Sequence, residues 1–317
     1  MLDLLVLGAG PAGCAAAISA RARGLATGLI EVRNRACQLA GETLHPGVEP
    51  LLRQLGVWED VEMSGFHRHN GLWRVDADGL RTFESYGNDT NGPWQGLQVD
   101  RFKFHTILRR RAISAGVQWV DILALVCARH DHEGWVIETS TGQQIKASTI
   151  IDATGRQAWF ASELGLIPDR LFEVQCVRFG WNTAGADLAD GNPVFCEQED
   201  GWEWTAPIGQ GRTAWVRLRR GDDKPGLDVT PRIYRECAGP DWFLVGDAAC
   251  MTTPASGNGV LRALMSGIYA VHIYSATRAG TLSRETGANV YTSWIRTFWE
   301  RSVAGPETAQ RTKVGLP

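Results

Sequence analysis

An α/β (α+β) fold is predicted for this chain by three observations. The chain opens on an apolar run that breaks into spaced glycines. Two later apolar runs each end in an acidic residue near a glycine, and turn-rich, β-like stretches lie between them. Strand-to-helix alternation implies a parallel sheet covered by helices, and the β-rich stretches imply an insertion that leaves it.

At the start, Leu4-Leu5-Val6-Leu7 runs into Gly8-Ala9-Gly10-Pro11-Ala12-Gly13. Gly8 permits a tight turn, Gly10 lets the main chain approach a pyrophosphate, and Gly13 lets the following helix lie close on the strand. Pro11 suits the first helical turn, where its missing amide has no partner to lose. Cys14 to Ala20 is small and helix-forming, and Gly24 ends the helix. A second strand, Ala26 to Ile30, delivers Glu31, an acid able to accept both hydroxyls of an adenosine ribose. Strand, glycines, helix, strand and acid together predict a dinucleotide site.

After Gly41-Glu42, Pro46-Gly47 opens a short amphipathic helix through Leu51, Leu52 and Leu55 to Gly56. Val57 to Val99 reads as short β-like pieces, Gly71 to Val75 and Leu80 to Phe83, separated by turns at Gly87-Asn88-Asp89 and Asn91-Gly92-Pro93. Asp100-Arg101 starts a helix whose Phe104, Ile107, Leu108 and Ile113 follow helical spacing. Strands are expected at Val117 to Val120, Ile122 to Arg129 and Gly134 to Thr139, then at Ser148 to Ile151, which runs into Asp152-Ala153-Thr154-Gly155. A second β-rich insertion spans Phe172 to Leu218. Trp242 to Val245 then runs into Gly246-Asp247, followed by Pro254, Ser256-Gly257-Asn258-Gly259 and a helix to about Ala276. A last helix is expected near Asn289 to Val303.

With 21% charged residues and a formal net charge of -3 over 317 residues, nothing points to nucleic acid. Seven scattered cysteines without a Cys-x-x-Cys pair imply reduced thiols in the cytoplasm and no metal site. The apolar first twenty residues lack a basic lead and carry Asp3, so they read as nucleotide fold rather than signal peptide. No run approaches the ~20 apolar residues of a membrane span.

Three acid-bearing turns at three strand ends argue for one long bound molecule. On these motifs the chain resembles a two-domain FAD monooxygenase of the para-hydroxybenzoate-hydroxylase fold. Within that fold it is most similar to the branch of the tryptophan halogenases and the halogenase-like monooxygenases of peptide quinone-cofactor maturation. The resemblance implies a Rossmann-type FAD-binding domain (1–45, 100–170 and 236–280), an inserted β-rich substrate domain (46–99 and 171–235) and a C-terminal helix and tail (281–317). It implies that Gly8, Gly10, Ala12 and Gly13 hold the pyrophosphate and Glu31 the ribose, with Arg33 beside it. Glu42, Arg101 and Gly155 reach the cofactor, Asp247 accepts from the ribityl chain, and Pro254, Gly257 and Gly259 line the flavin ring. A helix starting just after Gly259 aims its positive end at the flavin edge where charge gathers on reduction.

Halogenases of this branch depend on a lysine between the Gly-Glu pair and the Asp-Arg helix, and Thr43 to Val99 contains none. The chain's lysines are Lys103, Lys146, Lys224 and Lys313. The halogenase Trp-x-Trp-x-Ile-Pro element is present as Trp202-Glu203-Trp204-Thr205-Ala206-Pro207, with alanine for isoleucine. Hydroxylation of an aromatic or indolic group through a flavin C4a-hydroperoxide is therefore favoured. Halogenation, prenyl-type reduction and a non-catalytic FAD-bound maturation role are the alternatives. In the lysine's neighbourhood stand His67, Arg68 and His69, catalytic candidates because a histidine titrates near neutrality; the alternative is two exposed histidines flanking a structural arginine. His45 is a further candidate. With no second Gly-x-Gly-x-x-Gly unit, electrons come from NAD(P)H directly or through a partner flavin reductase. The short connection from Leu218 to Trp242 suits either an open pocket for a peptide- or carrier-bound substrate or a compact one for a small aromatic.

Overall fold

Leu2–Leu7 is an interior strand of the main parallel sheet, and Leu4 to Leu7 are fully buried, as a strand covered on both faces requires. The computed structural model describes residues 1–32, 42–170, 172–183, 190–209, 211–219, 226–254 and 257–303, the side chains of Glu42 and Val303 excepted. The chain divides into two units, Met1–Arg35 with Arg111–Phe172 and Pro231–Pro317, and Ala36–Arg110 with Glu173–Thr230.

In the first unit, Leu2–Leu7 pairs in parallel with Thr27–Val32 and with Gln144–Asp152, and Gln118–Ile122 extends the sheet beyond Thr27–Val32. The long strand Gln144–Asp152 serves two further partners. Its first half pairs antiparallel with Trp135–Thr139, and Ile150 to Asp152 pair in parallel with Trp242–Leu244. The register aligns Leu7 with Ile30 and Asp152, and Asp152 with Leu244. Gly8, Glu31, Ala153 and Val245 therefore follow at one level, the C-terminal edge where an open parallel sheet binds its ligand.

Helices Pro11–Ala22 and Gly259–Arg278 pack closely in this unit: a Cβ on Gly267 would lie 2.3 Å from the Ala12 carbonyl. The last helix is Arg284–Val303, five residues earlier than the sequence pattern suggests. Ser283 starts it by accepting the Thr286 amide at 3.1 Å. Its fully buried Tyr291 donates to the Leu244 carbonyl at 2.8 Å, bracing the strand beside the Gly246-Asp247 turn. The strand expected from Ile122 begins at Leu125, after a break at Leu123 and Ala124.

The second unit holds a seven-stranded sheet in the spatial order 227–228, 176–182, 212–219, 201–209, 194–198, 71–75, 81–85. A three-stranded sheet places Gly96–Val99 between Glu42–Leu44 and His67–His69. One expectation fails here: Trp58–Met63 is a helix, not a β-like piece. Trp58 and Val61, three apart, are 2% and 1% exposed, while Glu59 and Asp60 face out near the helix's positive end. No helix among the described residues is long and apolar enough to cross a membrane.

Candidate functional site

The C-terminal edge of the parallel sheet gathers the first set of expected residues. Gly8 has φ +101°, and a Cβ there would sit 2.4 Å from the Ala153 carbonyl oxygen; one on Gly13 would sit 1.9 Å from the Gly8 oxygen. Those two glycines are required by the protein's own packing. Gly10 is different, because a Cβ there meets nothing within 4 Å. Gly10 borders open space at the start of the Pro11–Ala22 helix, whose N-cap makes no side-chain bond. Uncapped amides and a helix dipole facing open space fit an anionic diphosphate. Ala12 and Gly13 are buried in the first turn. Glu31 lies across the turn, its Oε2 accepting the Ala9 amide at 2.9 Å.

Asp152 does a different job. Its carboxylate is fully buried and accepts from the Thr154 amide at 2.9 Å, the Thr154 hydroxyl at 2.6 Å, the Phe160 amide at 2.9 Å and the Ala161 amide at 3.3 Å. It is a turn-and-helix cap that fixes the loop carrying Gly155, whose own Cβ position is open. Asp247 is half-exposed and ion-paired with Arg262 of the Gly259–Arg278 helix. Pro254 is exposed, and Gly257 and Gly259 border open space ahead of that helix. Arg33, Gly41, Ser256 and the side chain of Glu42 lie outside the described residues.

In the second unit, Arg101 begins the helix Arg101–Ser114, and Asp100 accepts the Lys103 amide at 3.1 Å as its cap and pairs with Arg212 at 3.1 Å. The histidine segment is a strand, but its side chains have structural partners. His69, 3% exposed, donates from Nδ1 to the Gly71 carbonyl at 2.8 Å and accepts at Nε2 from the Gln98 amide at 3.0 Å. Gln98 in turn accepts from the Thr43 hydroxyl at 3.1 Å, which fixes its orientation. Burial drives the His69 pKa down to about 4, with a smaller contribution from the nearby His67. His67 donates from Nε2 to the Gly191 carbonyl at 2.7 Å. Both imidazoles lie in slots that only glycine leaves open, since a Cβ on Gly96 would reach His69 at 2.8 Å and one on Gly191 would reach His67 at 2.6 Å.

Arg68 pairs with Glu62 at 2.9 Å and lies 5.4 Å over the Trp58 ring. Each member of the trio expected to be catalytic thus has partners within the protein: His69 in the sheet, His67 on the Gly191 carbonyl and Arg68 on the helix Trp58–Met63. Burial makes His69 a weak base, and neither ring nitrogen points outward. His45 accepts the Gly47 amide on Nδ1 at 3.0 Å, and burial lowers its pKa. Lys103 and Lys146 are both exposed. The Lys103 ammonium donates to the Ser64 carbonyl at 2.8 Å and lies 5.5 Å from the Phe66 ring centre, and Lys146 bridges Asp131 and Glu133. On the strand Gly201–Gly209, Trp202 stacks on Phe195 at 5.6 Å, and Trp204 packs with Phe179 against Ile208 and Ala214.

The buried Arg262 had no sequence signal beyond a charge set among the apolar residues of the first turns of its helix. The His69–Gln98–Thr43 network had none, because its members are far apart in sequence.

Residues 3–159 match the FAD dependent oxidoreductase family. A 1H-pyrrole-2-carbonyl-[peptidyl-carrier protein] brominase of Pseudoalteromonas luteoviolacea is 25% identical over 75% of this chain and 58% of its own length. A menaquinone reductase of Mycolicibacterium smegmatis is 24% identical over 86% of this chain and 76% of its own. A tryptophan 2-halogenase of Chondromyces crocatus is 26% identical over 91% of this chain and 64% of its own. The chain thus spans about three fifths of the length of the two halogenating relatives. Among solved structures, a flavin-dependent brominase superposes with a TM-score of 0.79 at 19% identity, covering 98% of this chain and 92% of that one. A peptidyl tryptophan dihydroxylase essential for tryptophylquinone cofactor biogenesis superposes with a TM-score of 0.74 at 23% identity, covering 100% and 77%. At these identities the superpositions establish the fold.

Proposed function

We propose that this FAD-dependent oxidoreductase of the halogenase-like branch is a monooxygenase that hydroxylates an aromatic or indolic group, on a peptide- or carrier-bound substrate. Gly8, Gly10, Ala12 and Gly13 hold the pyrophosphate in this reading, Glu31 the ribose and Asp247 the ribityl chain, with Gly257 and Gly259 against the ring. Arg33, Glu42, Arg101, Gly155 and Pro254 complete the cofactor set. Bound FAD supplies the transfer of electrons to O2, and the surrounding chain binds and orients the substrate and excludes water. No general base is placed on His67, Arg68 or His69. Their hydrogen bonds give them the work of holding the strand His67–His69 against its neighbours.

The observation that carries the choice of hydroxylation is the disposition of the lysines. Residues 43–99 hold none, and Lys103, the nearest, is exposed and committed to Ser64 and Phe66. A lysine that handles hypohalous acid has to face a dry interior, and Lys103 does not. The dihydroxylase structure agrees with this reading, and the carrier-bound pyrrole substrate of the brominase relative supports a tethered substrate. A partner flavin reductase, rather than direct NAD(P)H, is the electron source we favour. Halogenation is the second reading, favoured by the names of two relatives.

The test is turnover with FAD, a separate flavin reductase, 18O2 and bromide, offering free and carrier-tethered indoles and pyrroles. One 18O atom in the product and no bromine is expected. Brominated product would transfer the protein to the second reading, and anaerobic reduction of a double bond would place it with the reductases. Lys103→Met is expected to leave turnover within about twofold, because the side chain is exposed and only the main chain of Lys103 takes part in the helix cap; a large loss would restore this lysine to the chemistry.

A further inference from the structure

Arg262 is a cation with almost no access to water: its side chain is 3% exposed, in the first turn of the helix Gly259–Arg278. A buried guanidinium needs charge compensation and hydrogen bonds, or it costs the fold several kcal/mol. Its Nη2 donates to Asp247 Oδ1, its Nη1 donates to the Thr252 hydroxyl at 2.8 Å, and its Nε has no hydrogen-bond partner among the described residues. The compensation is lopsided, because Asp247 is 45% exposed at its side chain. One carboxylate oxygen is pinned inward while the group as a whole faces out.

The helix grips the turn twice. Ser266, one helical turn after Arg262, accepts the Gly246 amide at 2.9 Å, so consecutive residues of the Gly246-Asp247 turn are held by consecutive turns of one helix. For stability alone, an apolar side chain at position 262 would serve as well or better. What an arginine adds is a fixed orientation for the Asp247 carboxylate. It also adds a weakly screened positive charge beneath a helix end that already carries the positive pole of the dipole.

We propose that Arg262 is a positioning residue of the cofactor site: it aims the Asp247 carboxylate at a polyol hydroxyl, and its interior charge favours the reduced, more negative form of the ligand. This rests on the reading of the sheet edge as an FAD site. The expected consequences concern binding and potential, not only turnover. Arg262→Leu should weaken FAD by about tenfold or more and make its midpoint potential more negative, while Arg262→Lys, which keeps the charge, should recover most of the potential.

The experiment is FAD titration by fluorescence quenching and a dye-coupled potential measurement on wild type, Arg262→Leu and Arg262→Lys, with melting of the cofactor-stripped proteins as the folding control. Wild-type affinity and potential in Arg262→Leu would overturn the proposal, as would equal loss in the Lys variant. If Arg262→Leu does not fold, Arg262→Gln, which drops the charge and keeps a donor for Thr252, decides on the same two readouts. Wild-type protein that takes up no FAD would sink the cofactor reading itself, an outcome distinct from the variants' failure.

Discussion

Gly13→Ala is expected to prevent folding, whereas Gly10→Ala is expected to fold and lose FAD. The two glycines are three residues apart in one motif, but the structure separates their reasons. A Cβ on Gly13 would lie 1.9 Å from the Gly8 oxygen and 3.1 Å from the Ala153 side chain, so main chain has to move against the central strand. Displacing packed backbone places this substitution in the exceptional class of roughly 4 kcal/mol or more. A Cβ on Gly10 meets no protein atom within 4 Å. Its cost falls only on what approaches the turn, so the stripped Gly10→Ala protein should melt as wild type does while FAD affinity falls by at least about tenfold. Melting curves of both stripped variants and an FAD titration of Gly10→Ala decide the matter. Unchanged affinity in Gly10→Ala would mean that the diphosphate does not lie there.

Acidification is the second large effect. His69 is neutral in the fold with its pKa near 4, against an ordinary value of 6.5. A histidine whose folded pKa is depressed contributes its stability in full above the unfolded pKa. That stability is lost as pH falls from 6.5 towards 4. Between pH 7 and pH 5 the loss is roughly 2 kcal/mol for His69 alone. His105, pushed to about 3 by burial and by the Arg101 and Arg109 charges on the same helix face, acts in the same direction. The hydrogen bonds explain why the structure does not adapt easily: a proton on His69 Nε2 would face the amide hydrogens of Gln98, whose carbonyl is engaged by Thr43. Chemical denaturation from pH 7 to pH 5 should show this slope in wild type and a flatter one in His69→Gln. Parallel slopes would refute the assignment.

The turn proposed to hold the nucleotide was legible as a structure because its signals are local. Gly8, Gly10, Gly13 and Glu31 belong to one strand-turn-helix-strand unit, and glycine is recognisable by what the backbone must do there. Asp152 and Asp247 were recognised as strand-end acids, but only the structure distinguishes them. Asp152 is buried as a cap, and Asp247 faces outward on an arginine. The histidine segment was harder to read for the opposite reason. The nature of His69 is set by Gly71, Gln98, Thr43 and the slot beside Gly96, contacts that neither periodicity nor residue type announces. The helix Trp58–Met63 was missed because a two-turn element has too few residues to display a period against turn-rich surroundings.

The pairing of Leu2–Leu7 with Gln144–Asp152 bears on how the protein is made. The strand that bears the glycine turn is synthesised at the outset, yet its partner strand Gln144–Asp152 emerges much later, and Leu244, level with Asp152, later still. Until then a sticky edge, Leu4 to Leu7, stays unpaired in a nascent chain already carrying the other unit's strands. Long-range parallel pairing is slow and leaves such edges exposed to aggregation. Yield in a heterologous host should therefore depend on translation speed and on chaperones acting on the early segment.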